Sequence, residues 1–180
     1  MSGAYAYVTA GQSDALVVVD ISNPASPVIR GRVVSSSLLD HARDVAVSGS
    51  YAYVAGQYSN SLVVVDVSNP ASPVIRGSVV SSSLMFYAVG VAVSGSYAYV
   101  AAHGSDALVV VDVSNPATPV IRGSVVSSSL MDGVRVTQSR GAWLASGAMI
   151  ASFMLAPAAP PPAEARSRSR AVLPGSFCRH

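Results

Sequence analysis

The sequence predicts an all-β fold, a partial β-propeller of about three four-stranded blades followed by a low-complexity C-terminal tail. Three observations carry that expectation. A 46-residue unit recurs without slipping: Tyr5-Ala6-Tyr7-Val8 returns from Tyr51 and from Tyr97, and the run Leu16 to Asp20 (LVVVD) returns from Leu62 and from Leu108. A period of about 20 to 50 residues marks a repeat architecture, in which one supersecondary unit buries its apolar faces by stacking on its copies. Each unit also consists of short β-branched runs without helical spacing. Finally, each carries an Asn-Pro-Ala-Ser-Pro or Asn-Pro-Ala-Thr-Pro loop, whose closely spaced prolines forbid a helix.

The unit that begins at Ala42 shows the elements in order. Val45 and Val47 alternate with smaller or polar residues and make strand one, which Ser48-Gly49-Ser50 turns tightly into strand two, Tyr51 to Ala55. A polar loop over 57–61 leads to strand three, Leu62 to Val67, which stops at the Ser68-Asn69-Pro70 turn. Val74 to Val80 makes strand four, interrupted at Gly77, and Ser81-Ser82-Ser83 leads onward. A β-solenoid coil competes with this reading, but its period is usually shorter and its strands do not fold back through hairpins.

The string V-A-V-S-G-S-Y-A-Y-V-A, a short gap and L-V-V-V-D-V-S-N-P-A-S-P-V-I-R-G closely resembles the LVIVD repeat, a β-propeller repeat of bacterial and archaeal proteins. The resemblance implies a propeller fold and an exported or cell-surface setting. It supplies no catalytic residues to carry over.

The chain is expected to divide into repeats over 1–139 and a tail over 140–180. The repeats hold strands two to four of a first blade, two complete blades and then Gly133 to Ser139, read as an inner strand after a three-residue shortening. Three blades are fewer than the roughly four to eight of a closed propeller, so the arc stays open or self-association completes the ring. In the tail, Ala142 to Ala156 is apolar for 15 residues, short of the ~20 a membrane span needs, so membrane insertion is not expected. Pro157 to Ala165 is rich in Pro and Ala, Arg166-Ser167-Arg168-Ser169-Arg170 follows, and a changed reading frame would also produce such an end.

Composition excludes several function classes. Residues 1–139 carry six Arg against eight Asp, and residues 140–180 carry five Arg against Glu164 alone. The repeats therefore lack the basic stripe that nucleic acid requires. Cys178 is the only cysteine, which excludes an internal disulfide framework and a multi-cysteine zinc site. The N-terminus shows no charged segment followed by an apolar run, so no secretory signal is read there. Glycine-rich phosphate loops, H-E-x-x-H and G-x-S-x-G are absent from the sequence; no cofactor is expected.

Residues common to every copy have structural readings. Asp20, Asp66 and Asp112 precede a turn whose N–H groups a carboxylate accepts. Arg30, Arg76 and Arg122 are expected to pair with a neighbouring blade or face solvent, and the paired tyrosines to pack between blades. The copies differ in two loop sets that should lie at one end of the strands. The lead-in to strand one reads Asp40-His41-Ala42-Arg43-Asp44, then Phe86-Tyr87, then Asp132-Gly133. The loop between strands two and three carries Gln12 and Asp14, then Tyr58 and Asn60, then His103 and Asp106. Variable loops on a uniform frame commonly carry recognition, so these residues form the expected binding face for a protein or glycan. The alternatives are a metal-binding or hydrolytic centre at His41 and His103, with Asp40, Asp44 and Asp106 as carboxylates, and a truncated fragment without independent function.

Overall fold

The computed structural model describes residues 4–135. They form three antiparallel sheets. Blade 1 holds β1 (Tyr5–Ala10), β2 (Ala15–Asp20) and β3 (Val28–Val34). Blade 2 holds β4 (Ala42–Ser48), β5 (Tyr51–Gly56), β6 (Ser61–Asp66) and β7 (Val74–Val80). Blade 3 holds β8 (Ala88–Ser94), β9 (Tyr97–Ala102), β10 (Ala107–Asp112) and β11 (Val120–Val126), and in every blade the strands pair in chain order. The apolar and Pro/Ala/Arg-rich tail falls outside the described residues. Among those residues no helix is long and apolar enough to cross a membrane.

Alternation along the strands splits blade 2 into two apolar faces, because successive side chains point to opposite sides of a sheet. Ala52, Val54, Val63 and Val65 join Leu16 of blade 1 and Leu39 in one cluster, with Tyr7 and Val33 against it. Tyr53, Ala55, Leu62 and Val64 meet Val91, Val100, Val109 and Val111 of blade 3, together with Met85, in the other. The tyrosines Tyr7 and Tyr53 thus pack between blades, and burial pushes both phenols above their usual range. Among the described residues the outward side of blade 1 lacks such a neighbour, and Val8 there stays 46% exposed.

The expected interruption in the fourth strand takes the form of a bulge, and its glycine has a further role. β7 runs unbroken, and Gly77 pairs with Val64 while Ile75 pairs with Val65, so Arg76 is the bulged residue. A Cβ on Gly77 would meet the Pro116 and Ala117 carbonyl oxygens at 2.6 Å, and one on Gly31 would meet the Pro70 carbonyl at 2.5 Å. The Asn-Pro-Ala turns of blades 2 and 3 therefore each rest on a bare stretch of the preceding blade. Gly123 of blade 3 has no such contact among the described residues.

The bulge aims each arginine back at its own blade. Arg30, Arg76 and Arg122 donate through Nε and Nη2 to Asp20, Asp66 and Asp112 at 2.8–3.1 Å. This corrects the expected inter-blade pairing, since the partner lies ten residues away, across β2–β3 and its equivalents, while the guanidinium side chains face solvent as expected. Each aspartate also accepts the N–H of the serine two residues on at 2.9 Å, as the turn reading required. That serine's hydroxyl and N–H, followed by the guanidinium, hold each carboxyl at about 2.

The unit length also survives further than the sequence suggested. Met85 and Met131 donate their N–H to the Ser81 and Ser127 carbonyls, and Ala42 and Val134 donate to those of Leu39 and Met131, all in one register. Gly133, at φ +70°, takes the place of Tyr87 at φ +55° and His41 at φ +50°. As far as Val134 the register shows no three-residue loss, and Gly133 aligns with Tyr87 rather than with Gly90.

Candidate functional site

The two variable loop sets meet at one end of the blades. Gln57 and Tyr58 donate N–H to the His41 and Asp40 carbonyls, and His103 and Gly104 donate to those of Tyr87 and Phe86. Bonds of this kind fix the loop backbones without using their side chains.

A second set of bonds ties neighbouring blades. Asp14 Oδ1 accepts the His41 N–H at 3.1 Å, and Asn60 Oδ1 accepts the Tyr87 N–H at the same distance. All four residues have positive φ, between 49° and 55°. Left-handed backbone is uncommon outside glycine and favours Asn, Asp and His, so Tyr87 is the least natural occupant. The carboxamide that holds its N–H compensates for part of that strain.

On this frame lies a run of aromatic rings. His41 and Tyr58 stack with centroids 4.2 Å apart, Tyr58 meets Tyr87 edge-on at 5.4 Å, and Tyr87 meets Phe86 edge-on at 4.7 Å. The run crosses from blade 2 to blade 3 and remains open, with Tyr58 46% and Phe86 43% exposed. Residues that sequence reading missed hold it in place. The Phe86 N–H donates to Ser105 Oγ, whose hydroxyl donates to the Ser83 carbonyl, and Gly104 leaves room for the Phe86 ring. Ser59 and Ser61 both donate to the Leu38 carbonyl, at 2.8 and 2.7 Å. Their small, repeated polar positions were visible, but the partners they reach were not.

The remaining predicted residues divide. Asp40 lies beside His41, Oδ1 to Nδ1 3.5 Å, on the same face as exposed Gln12 and His103. Asp132 is exposed beside Gly133, and Asp106 closes the short 3-10 turn His103–Ser105. Arg43 is the bulged residue of β4, and its carbonyl accepts the Thr9 hydroxyl. Asp44 is committed to the frame: Oδ1 accepts the Val45 N–H and Oδ2 the Val91 N–H of blade 3, both at 2.9 Å. The expected grouping of His41 with His103 and Asp44 is therefore replaced by another. Asp14 of blade 1, Asp40 and His41 bring one ligand-type atom each within 4.8 Å of one another.

Comparisons with known proteins agree with this architecture. Solved structures of similar shape include a protein of Lactobacillus plantarum, 15% identical with TM-score 0.59, over 68% of this chain and 39% of that one. A Bacteroides fragilis protein proposed to be a 6-phosphogluconolactonase is 11% identical with TM-score 0.60, over 70% and 37%. Kuenenia stuttgartiensis hydrazine synthase is 22% identical with TM-score 0.55, over 70% and 33%. At such identities the likeness shows the fold alone, and this chain spans less than two fifths of each of those chains. No curated protein matches the chain at a significant level. The family model described as LVIVD repeat matches residues 1–35, 40–81 and 87–127, one match per blade. The chain belongs to the LVIVD repeat family.

Proposed function

We propose that the chain is a non-enzymatic propeller segment that binds a glycan through its variable-loop face, in keeping with the cell-surface setting the repeat suggests. The observation that carries this reading is the open aromatic run of Tyr58, Tyr87 and Phe86, flanked by the hydrogen-bonding groups of His41 and Asp40. Aromatic faces present flat apolar area at low entropic cost, and carboxylate or imidazole beside them accepts or donates to hydroxyls. A pyranose ring offers both an apolar face and a rim of hydroxyls. Loops fixed by backbone bonds also reduce the ordering cost of binding.

Electrophoresis of the protein through gels loaded with a panel of neutral polysaccharides tests the reading. Retardation on at least one is expected, and it should vanish in the Tyr58→Ser, Tyr87→Ser, His103→Ser triple variant while that variant stays folded by circular dichroism. Absence of retardation on every polysaccharide overturns the glycan reading. Retention by the triple variant, with loss on substitution in the Asn-Pro-Ala turns, places binding at the opposite end.

A further inference from the structure

The junction of blades 1 and 2 carries a ligand set that the fold itself does not need. At the next junction Asn60, Phe86 and Tyr87 occupy the positions of Asp14, Asp40 and His41, and the backbone takes the same course: two left-handed residues joined by one 3.1 Å bond. At the far side of blade 3 the same positions hold Asp106, Asp132 and Gly133, carboxylates without an imidazole. Only the first junction, among the described residues, gathers a metal-competent group.

We propose that Asp14, Asp40 and His41 form a site for a divalent first-row transition cation, zinc in particular. Two carboxylates and a neutral imidazole supply two negative charges against a dipositive ion. The imidazole favours zinc over the hard calcium and magnesium ions, which prefer oxygen donors throughout. Asp14 uses Oδ1 on the His41 N–H, which leaves Oδ2 for the ion and fixes where the carboxylate sits. An ion about 2.1 Å from each ligand draws the three atoms to roughly 3.0–3.5 Å of one another. From within 4.8 Å, half-buried side chains reach that spacing by small rotations. Three protein ligands leave at least one position for water or a hydroxyl of a bound molecule, the open form of a zinc site. The ring of Tyr58 lies 4.2 Å from that of His41, tilted at 38° to it.

This inference stands apart from the glycan reading, since its probe is the metal alone. The full chain, stripped with chelator and dialysed, is titrated with zinc chloride by calorimetry. One equivalent should bind, and Asp14→Asn and His41→Tyr should each weaken it at least tenfold. Both variants reproduce residues that the next junction already accommodates, so their melting temperatures should stay near that of the parent protein. Asp106→Asn and Cys178→Ser should leave the affinity unchanged. Should either junction variant melt early, Asp40→Asn, whose side chain bonds no backbone group, decides by the same tenfold loss. The proposal is overturned by the absence of saturable binding, or by binding that survives removal of these ligands.

Discussion

At the junction of blades 1 and 2 a carboxylate caps the His41 N–H, and at the junction of blades 2 and 3 a carboxamide caps the Tyr87 N–H across the same 3.1 Å. Beneath them Leu39 and Met85, equivalent in the repeat and both fully buried, plug the two inter-blade cores. The first junction exposes carboxylates and imidazole, whereas the second exposes Phe86 and Tyr87. The difference teaches that backbone and core are set by the repeat, while the chemistry at the loop end is free to change. Fixing the loops through main-chain bonds and the Asp14 and Asn60 caps is what separates the two, because a side chain that bears no structural duty can be exchanged at little cost in stability.

The strongest challenge to an equivalent frame comes from the plugs. Leu39→Ala and Met85→Ala should each cost about 2–5 kcal/mol, since a large buried side chain leaves a cavity that packed sheets close only partly. Chemical denaturation that finds one site tolerant and the other severe would break the equivalence.

Smaller effects should separate a stacked blade from an open one. Gly31→Ala and Gly77→Ala put a methyl group against the carbonyls of the next blade's turn, an overpacking of about 1–3 kcal/mol. Among the described residues Gly123→Ala meets nothing within 4 Å and should be neutral or slightly stabilising, because alanine loses less backbone freedom than glycine. Equal destabilisation at all three would show that blade 3 is covered by something beyond the described residues.

The smallest expected effect is shared by all blades. Asp20, Asp66 and Asp112 are held at about 2, below the ordinary 3.8. A carboxyl with a depressed folded-state value contributes its stability above the unfolded value and loses it as pH falls through the folded one. The melting temperature should therefore drop between about pH 4 and pH 2. The aspartate clips are exposed, so solvent screening keeps the drop modest. Asp66→Asn should reduce its slope, and an unchanged slope would remove the clip from the account.

Much of the blade was legible in the chain. Where turn residues stood beside β-branched runs, local pattern was enough: the strand from Tyr51, its partner from Ala42 and the proline-bounded stop, read after Val67 and found after Asp66, all followed from it. At Gly77 the pattern located an irregularity in the ladder, but the close approach of the next blade's turn that needs its missing Cβ was not visible in it. It misled at Gly133, which resembles Gly90 by type but occupies the left-handed position of Tyr87. The loop-end residues were identified by their variation, yet Asp44 was grouped with the surface although it binds the Val91 N–H.

The sequence by itself determined the 46-residue period, the strand order within each blade and the turn chemistry, because these depend on residues close together along the chain. Only the tertiary structure decided which side chains meet between blades. Asp14 reaches His41 across 27 residues, Gly77 lies under the turn at Pro116, and Tyr58 touches both His41 and Tyr87. Those contacts depend on the stacking of one sheet against the next, a relation set by how the apolar faces of whole blades fit together. No local pattern of residues encodes it.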